Sequence, residues 1–135
     1  MPAILRQPKR RHKYAATPMI LTPNGGLYRA DECIRFDSKH EADMYSYLVA
    51  LQMSGEIRNL RNCHQHRDEC TFIVGEIGGK KIKYVCDFTY EEKVIGSDGV
   101  GWVRRVADAK GMRTRDYLRK KAAMKERYGI EVVEL

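Results

Sequence analysis

A chain of 135 residues has room for one compact domain with its own core, and 43% hydrophobic with 32% charged residues is a globular composition, which excludes wholesale disorder. No run of about 18 apolar residues could span a bilayer, and the N-terminus lacks the apolar stretch of a secretory signal, so a cytoplasmic protein without a membrane partner is expected. The net charge of +7 is unevenly spread: residues 1–13 carry five basic side chains and no acid, and residues 113–127 carry seven against two acids, leaving −3 for the remainder. A polyanion such as DNA fits that pattern, as does a solvated helix face with a solubilising tail.

All four prolines and the turn-forming Asn24-Gly25-Gly26 lie in residues 1–30, which show no sustained hydrophobic period. They read as a basic, loosely ordered arm, and residues 31–135 as a single domain. Ser38 and Glu41 have the spacing of a helix capping box, and Met44, Tyr45, Leu48 and Leu51 follow at helical intervals up to Ser54-Gly55. Strand character follows over 56–62 and 70–77, with Gly78-Gly79 as a hairpin turn. From Lys81 to Tyr90 the alternation predicts one strand, with Ile82, Tyr84, Cys86, Phe88 and Tyr90 on one face and Asp87 on the other.

After the turn at Gly96-Ser97-Asp98-Gly99, residues Gly101 to Lys110 read as a strand that places Trp102, Arg104, Val106, Asp108 and Lys110 on a common face. Thr114 can cap a second helix through about Tyr128, Gly129 can end it, and Ile130 to Val133 resembles a closing strand. Hairpin-linked strands followed by a crossover helix imply an α/β fold with a mixed central sheet flanked by helices.

Asp87 and Asp108 would lie on neighbouring strands, with Lys110 two residues beyond the second. Carboxylates in otherwise apolar strands repel one another unless a cation neutralises them, and an oxygen-rich set suits a hard divalent ion such as magnesium. Such an ion supplies positive charge to a scissile phosphate, while a lysine can offset charge in the transition state. Asp87 has an alternative reading beside a loop, and Asp108 with Lys110 could be a plain ionic pair.

Glu41 in a first helix, then Asp87, then Asp108-Ala109-Lys110, resembles the PD-(D/E)XK nuclease superfamily over about residues 34–133. Phe36 to Ala42 (Phe-x-Ser-Lys-x-Glu-Ala), Asp87 to Tyr90 (Asp-Phe-x-Tyr) and Lys110-Gly111 are similar to small phage-encoded members. Cys86 stands where the superfamily name has proline. The resemblance implies a restriction-endonuclease-like αβββαβ core and hydrolysis of DNA, with Holliday-junction resolvases among the relatives. It implies magnesium, with manganese as a substitute, held by Asp87, Asp108, the Ala109 carbonyl and, through water, Glu41. Glu41 is equally explained as a helix cap, which would occupy its carboxylate.

Gln65 lies where relatives often carry a glutamine, and its amide could contact a phosphate or a metal-bound water, although a solvated loop residue reads nearly as well. Arg113, Arg115, Lys120, Lys121 and Lys125, with Arg10 and Arg11 of the arm, are candidates for the DNA backbone, with Lys120 and Lys121 preferred. Tyr117, Met124 and Tyr128 read as core or groove lining rather than base-stacking platforms. Cys63, His64, His66 and Cys70 form a Cys-His-x-His-x3-Cys cluster without paired Cys-x-x-Cys knuckles, which argues against structural zinc. The expected activity is a metal-dependent DNA endonuclease, acting as a homodimer if it makes paired cuts in branched DNA in phage-type recombination. The alternative is a nucleic-acid-binding accessory module that keeps the nuclease scaffold without cleaving.

Overall fold

The structure is a computed structural model, and it describes residues 19–21, 34–110 and 112–135. The elements in chain order are β1 (Met19–Leu21), β2 (Ile34–Phe36), α1 (Lys39–Met53), β3 (Ile57–Asn62), a short 3-10 turn (Asp68–Cys70), β4 (Thr71–Ile77), β5 (Lys80–Val85), β6 (Phe88–Gly96), β7 (Gly99–Asp108), α2 (Arg115–Tyr128) and β8 (Val133–Glu134). The central sheet runs β3-β6-β7-β8, with antiparallel pairs up to β7 and a parallel β7–β8 pair. With its helices it reads α1-β3-β6-β7-α2-β8, the expected αβββαβ order, and β4–β5 is a hairpin inserted between its first two strands.

α1 starts where the Ser38 hydroxyl accepts the Glu41 N–H at 3.1 Å. Its buried face repeats every three to four residues through Ala42, Tyr45, Leu48 and Val49, as an amphipathic helix requires. That face packs with Phe36, Ile57, Leu60, Phe88, Tyr90 and Ala107 into one core. α2 is capped by Thr114, whose Oγ1 accepts the Tyr117 N–H at 3.1 Å, and ends at Gly129 with φ +67°. Its buried Tyr117 and Met124 join Cys70, Phe72, Tyr84, Cys86, Val106 and Val132 in a second core. Val106 and Ala107 are adjacent on β7 and so point to opposite faces, which puts α1 on one side of the sheet and α2 on the other.

The continuous strand expected over Lys81 to Tyr90 is broken at Cys86-Asp87. The Cys86 N–H donates to Cys70 O at 2.9 Å, whereas Asp87 O accepts from Cys63 N at 3.0 Å, so the chain exchanges the β4 side for the β3 side at this step. The expected single aromatic face is divided accordingly: Tyr84 and Cys86 face α2, and Phe88 and Tyr90 face α1. β7 spans Gly99–Asp108, so Lys110 follows the strand rather than ending it, and the closing strand is Val133–Glu134 rather than 130–133. Within the stretch read as an arm, Met19–Leu21 pairs antiparallel with Ile34–Phe36. Arg10 and Arg11 lie outside the described residues.

Candidate functional site

The break before β6 and the end of β7 meet at the two aspartates. At Asp87 the backbone N–H has no strand partner, and Asp108 Oδ1 accepts it at 2.9 Å. Asp87 Oδ2 in turn accepts the Ala109 N–H at 2.9 Å, just past the end of β7. Each carboxylate thus satisfies a backbone donor that the sheet leaves open beside the other aspartate. Asp108 is fully buried, and its Oδ2 accepts the Tyr84 hydroxyl. Lys110 Nζ stands 3.8 Å from that same oxygen and 4.5 Å above the Tyr117 ring, combining charge pairing with a cation–π contact.

Burial pushes the Asp87 carboxyl up to about 7, and the negative charges of Asp108 and Glu41 add to the rise; the Ala109 N–H and Lys110 oppose it. This is a group of like charges held out of water with one lysine as counter-charge. All its donor atoms are hard oxygens, so the residues fit a hard divalent cation, which would be held by Asp87 and Asp108 with Glu41 close by.

Glu41 is buried in the first turn of α1, and its carboxylate does not close the capping box: Oε1 takes a 2.8 Å hydrogen bond from His64 Nε2 instead. Hydrogen bonds to Cys63 and then to Glu41 raise the His64 imidazole to about 10. Among the described residues, Glu41, Cys63 and His64 form a group whose three metal-capable ligand atoms all lie within 4.8 Å of one another. The Cys-His-x-His-x3-Cys cluster is therefore divided. Cys70 is buried against Cys86, and His66 lies 4.0 Å from Glu69. Gln65 folds back on the turn, its N–H bonded to Asn62 Oδ1 and its Oε1 to Asn62 Nδ2, both at 3.0 Å.

Glu134 on β8 is a neighbour that the sequence did not reveal. It pairs in register with Asp108 and gathers Arg113, Lys121 Nζ at 3.3 Å and the Tyr117 hydroxyl at 2.9 Å. Those partners, Arg113 first, lower its carboxyl to about 2. The preferred DNA contacts are thus already engaged, Lys121 with Glu134 and Lys120 with Asp116 at 3.1 Å, while Arg115 and Lys125 are exposed. Tyr84 was also missed as a partner of Asp108, because it lies on the inserted hairpin and only the sheet crossover brings it there. A separate cleft of about 550 Å³, lined by Asn59, Arg61, Tyr90, Trp102 and Arg104 among others, includes neither aspartate. The carboxylate pair is the better candidate because the ionisable groups that can do chemistry converge there.

An αβββαβ sheet with paired buried carboxylates at the junction of its middle strands defines the class: an α/β protein carrying a candidate acidic site. A family model matches residues 27–133, and the chain belongs to that family, described as "Protein of unknown function (DUF1064)". No curated protein and no solved structure matches it.

Proposed function

We propose that this protein is a divalent-metal-dependent DNA endonuclease of the PD-(D/E)XK kind. The observation that carries the reading is the reciprocal Asp87–Asp108 pair between β6 and β7, with Lys110 at 3.8 Å and Glu41 adding its charge, on an αβββαβ core. Magnesium, or manganese in its place, supplies Lewis-acid charge at the scissile phosphate when bound. Asp87 and Asp108 would hold the cation; the Asp87–Ala109 hydrogen bond and the Tyr84 hydroxyl on Asp108 keep both carboxylates oriented. Lys110 is anchored between Asp108 and the Tyr117 ring, from where its ammonium offsets charge developing on the phosphate.

DNA is the partner this reading requires, and the basic residues of α2 are the backbone contacts, led by exposed Arg115 and Lys125. The small size and the resemblance to resolvases favour branched DNA as substrate, cut by a homodimer with one site per strand. The setting is phage-type recombination in the host cytoplasm. No helix among the described residues is long and apolar enough to cross a membrane.

A second reading, a DNA-binding module that does not cleave, draws on the complete burial of Asp108 and on its capping of the Asp87 N–H. Magnesium-dependent cleavage of labelled linear duplex, single-stranded, flap and four-way-junction DNA by wild type and Asp108→Ala separates the two. Cutting by wild type alone, with both proteins folded and binding DNA, supports the nuclease, and selectivity for the junction supports the resolvase form. Tight binding by folded wild type without cutting in magnesium or manganese moves the assignment to the binding module.

A further inference from the structure

Glu41, Cys63 and His64 come from two separate places in the chain, the first turn of α1 and the turn that follows β3. Their carboxylate oxygen, thiol sulfur and imidazole nitrogen converge within 4.8 Å. The turn is held firmly. The Cys63 N–H donates to Asp87 O at 3.0 Å, the His66 N–H to Asn62 O at 2.9 Å, and Asn62 and Gln65 exchange two side-chain bonds. The Phe36 ring meets His64 edge-on at 5.2 Å and 89°, which fixes the imidazole plane. Glu41 is almost fully buried and points at His64 rather than at water or its own helix end.

One oxygen, one nitrogen and one sulfur ligand form a borderline-soft set. It differs from the all-oxygen chemistry of the aspartate pair and matches zinc, whose bonds are about 2.0–2.1 Å to nitrogen or oxygen and about 2.3 Å to thiolate. Tetrahedral placement on such bonds sets ligand atoms about 3.3–3.7 Å apart. The 2.8 Å Glu41–His64 hydrogen bond therefore has to open by roughly half an ångström to admit the ion, a movement within reach of two side-chain rotations. Phe36 already holds the imidazole as an ordered partner would.

We infer that Glu41, Cys63 and His64 form a zinc-class site with three protein ligands and one open position, separate from the Asp87–Asp108 pair. Zinc takes its ligands as thiolate and neutral imidazole, so zinc uptake strengthens with rising pH. The ion bridges α1 to the β3 turn beside Asp87 O and claims Glu41 for itself. A hard cation at the aspartates is then left with Asp87 and Asp108. The inference stands independently of the nuclease reading, because its readout is metal binding.

The test is titration of metal-free, reduced protein with Co²⁺ and then Zn²⁺, followed by visible and near-ultraviolet absorption, with circular dichroism to monitor folding. One equivalent of cobalt should produce a thiolate-to-cobalt charge-transfer band that zinc abolishes. Wild type, Asp87→Asn and Cys70→Ser should all show it. Cys63→Ser, nearly isosteric on a half-buried turn, should lose the band, and His64→Ala should bind at least tenfold more weakly. Folded wild type that takes up no cobalt or zinc at micromolar concentration overturns the site, as does a band that survives in Cys63→Ser.

Discussion

Replacing Asp87 by asparagine should stabilise the metal-free protein at alkaline pH and leave it little changed in acid. Burial and the nearby charges of Asp108 and Glu41 lift the Asp87 carboxyl from its ordinary 3.8 to about 7. The folded state therefore holds a proton that the unfolded chain has released, and stability falls as pH rises from about 4 to about 7 before levelling off. At about 1.4 kcal/mol per pH unit, keeping Asp87 ionised above that range costs the fold on the order of 4 kcal/mol at most. Asparagine retains an oxygen to accept the Ala109 N–H, so the substitution removes the charge while preserving the 2.9 Å bond. Urea unfolding in the presence of chelator, at pH 4, 6 and 8, reads the difference. With a urea slope of about 2 kcal/mol/M, the variant's midpoint should exceed that of wild type by up to about 2 M at pH 8 and should nearly coincide with it at pH 4. Excess magnesium at pH 8 should close the gap by stabilising wild type alone. A variant that is less stable than wild type at pH 8, or a difference that does not change with pH, would refute the claim that Asp87 is an electrostatically strained carboxylate.

Met124→Ala should cost about 2–5 kcal/mol, because Met124 is completely buried where α2 meets Cys86, Val106 and Val132; thermal unfolding measures it, and a loss under 1 kcal/mol would contradict that packing. Gly129→Ala should cost about 1 kcal/mol from backbone conformation, since φ is +67° while an added Cβ meets nothing within 4 Å; the same unfolding assay checks it. For DNA binding, Arg115→Ala and Lys125→Ala should each reduce the slope of log affinity against log salt by about 0.9 if each neutralises one phosphate. Fluorescence anisotropy across a salt series gives that slope, and an unchanged value would remove α2 from the interface.

The Glu41–His64 bond explains why a capping motif was an incomplete guide to this helix. Ser38 does cap the Glu41 N–H, as the spacing indicates, but the reciprocal half of the box is forgone. A buried carboxylate finds its best partner wherever the fold presents a donor, and here that donor arrives from a turn 23 residues away. The basic helix follows the same logic. Seven cations in 113–127 were evident, yet which of them face solvent depended on Glu134, an acid on a strand too short to stand out.

What the sequence by itself determined was what periodicity and local chemistry encode: two capped helices, the strands around two tight turns, and Asp87 and Asp108 as carboxylates out of place in apolar strands, whereas the αβββαβ order came only from the family resemblance. Helix and strand periods are local properties, so they are written along the chain. The tertiary structure alone decided where β5 gives way to β6, because one unbroken alternation from Tyr84 to Tyr90 is compatible with either a continuous strand or a change of partners. Only the competing hydrogen bonds from Cys70 and Cys63 choose between them. That change of partners at Cys86-Asp87 leaves the Asp87 N–H to Asp108, brings Tyr84 onto the same carboxylate, and ties Asp87 O to the Cys63 N–H, next to the His64 that meets Glu41. Each of these contacts joins residues more than twenty positions apart, and no repeat in the sequence carries information over that distance.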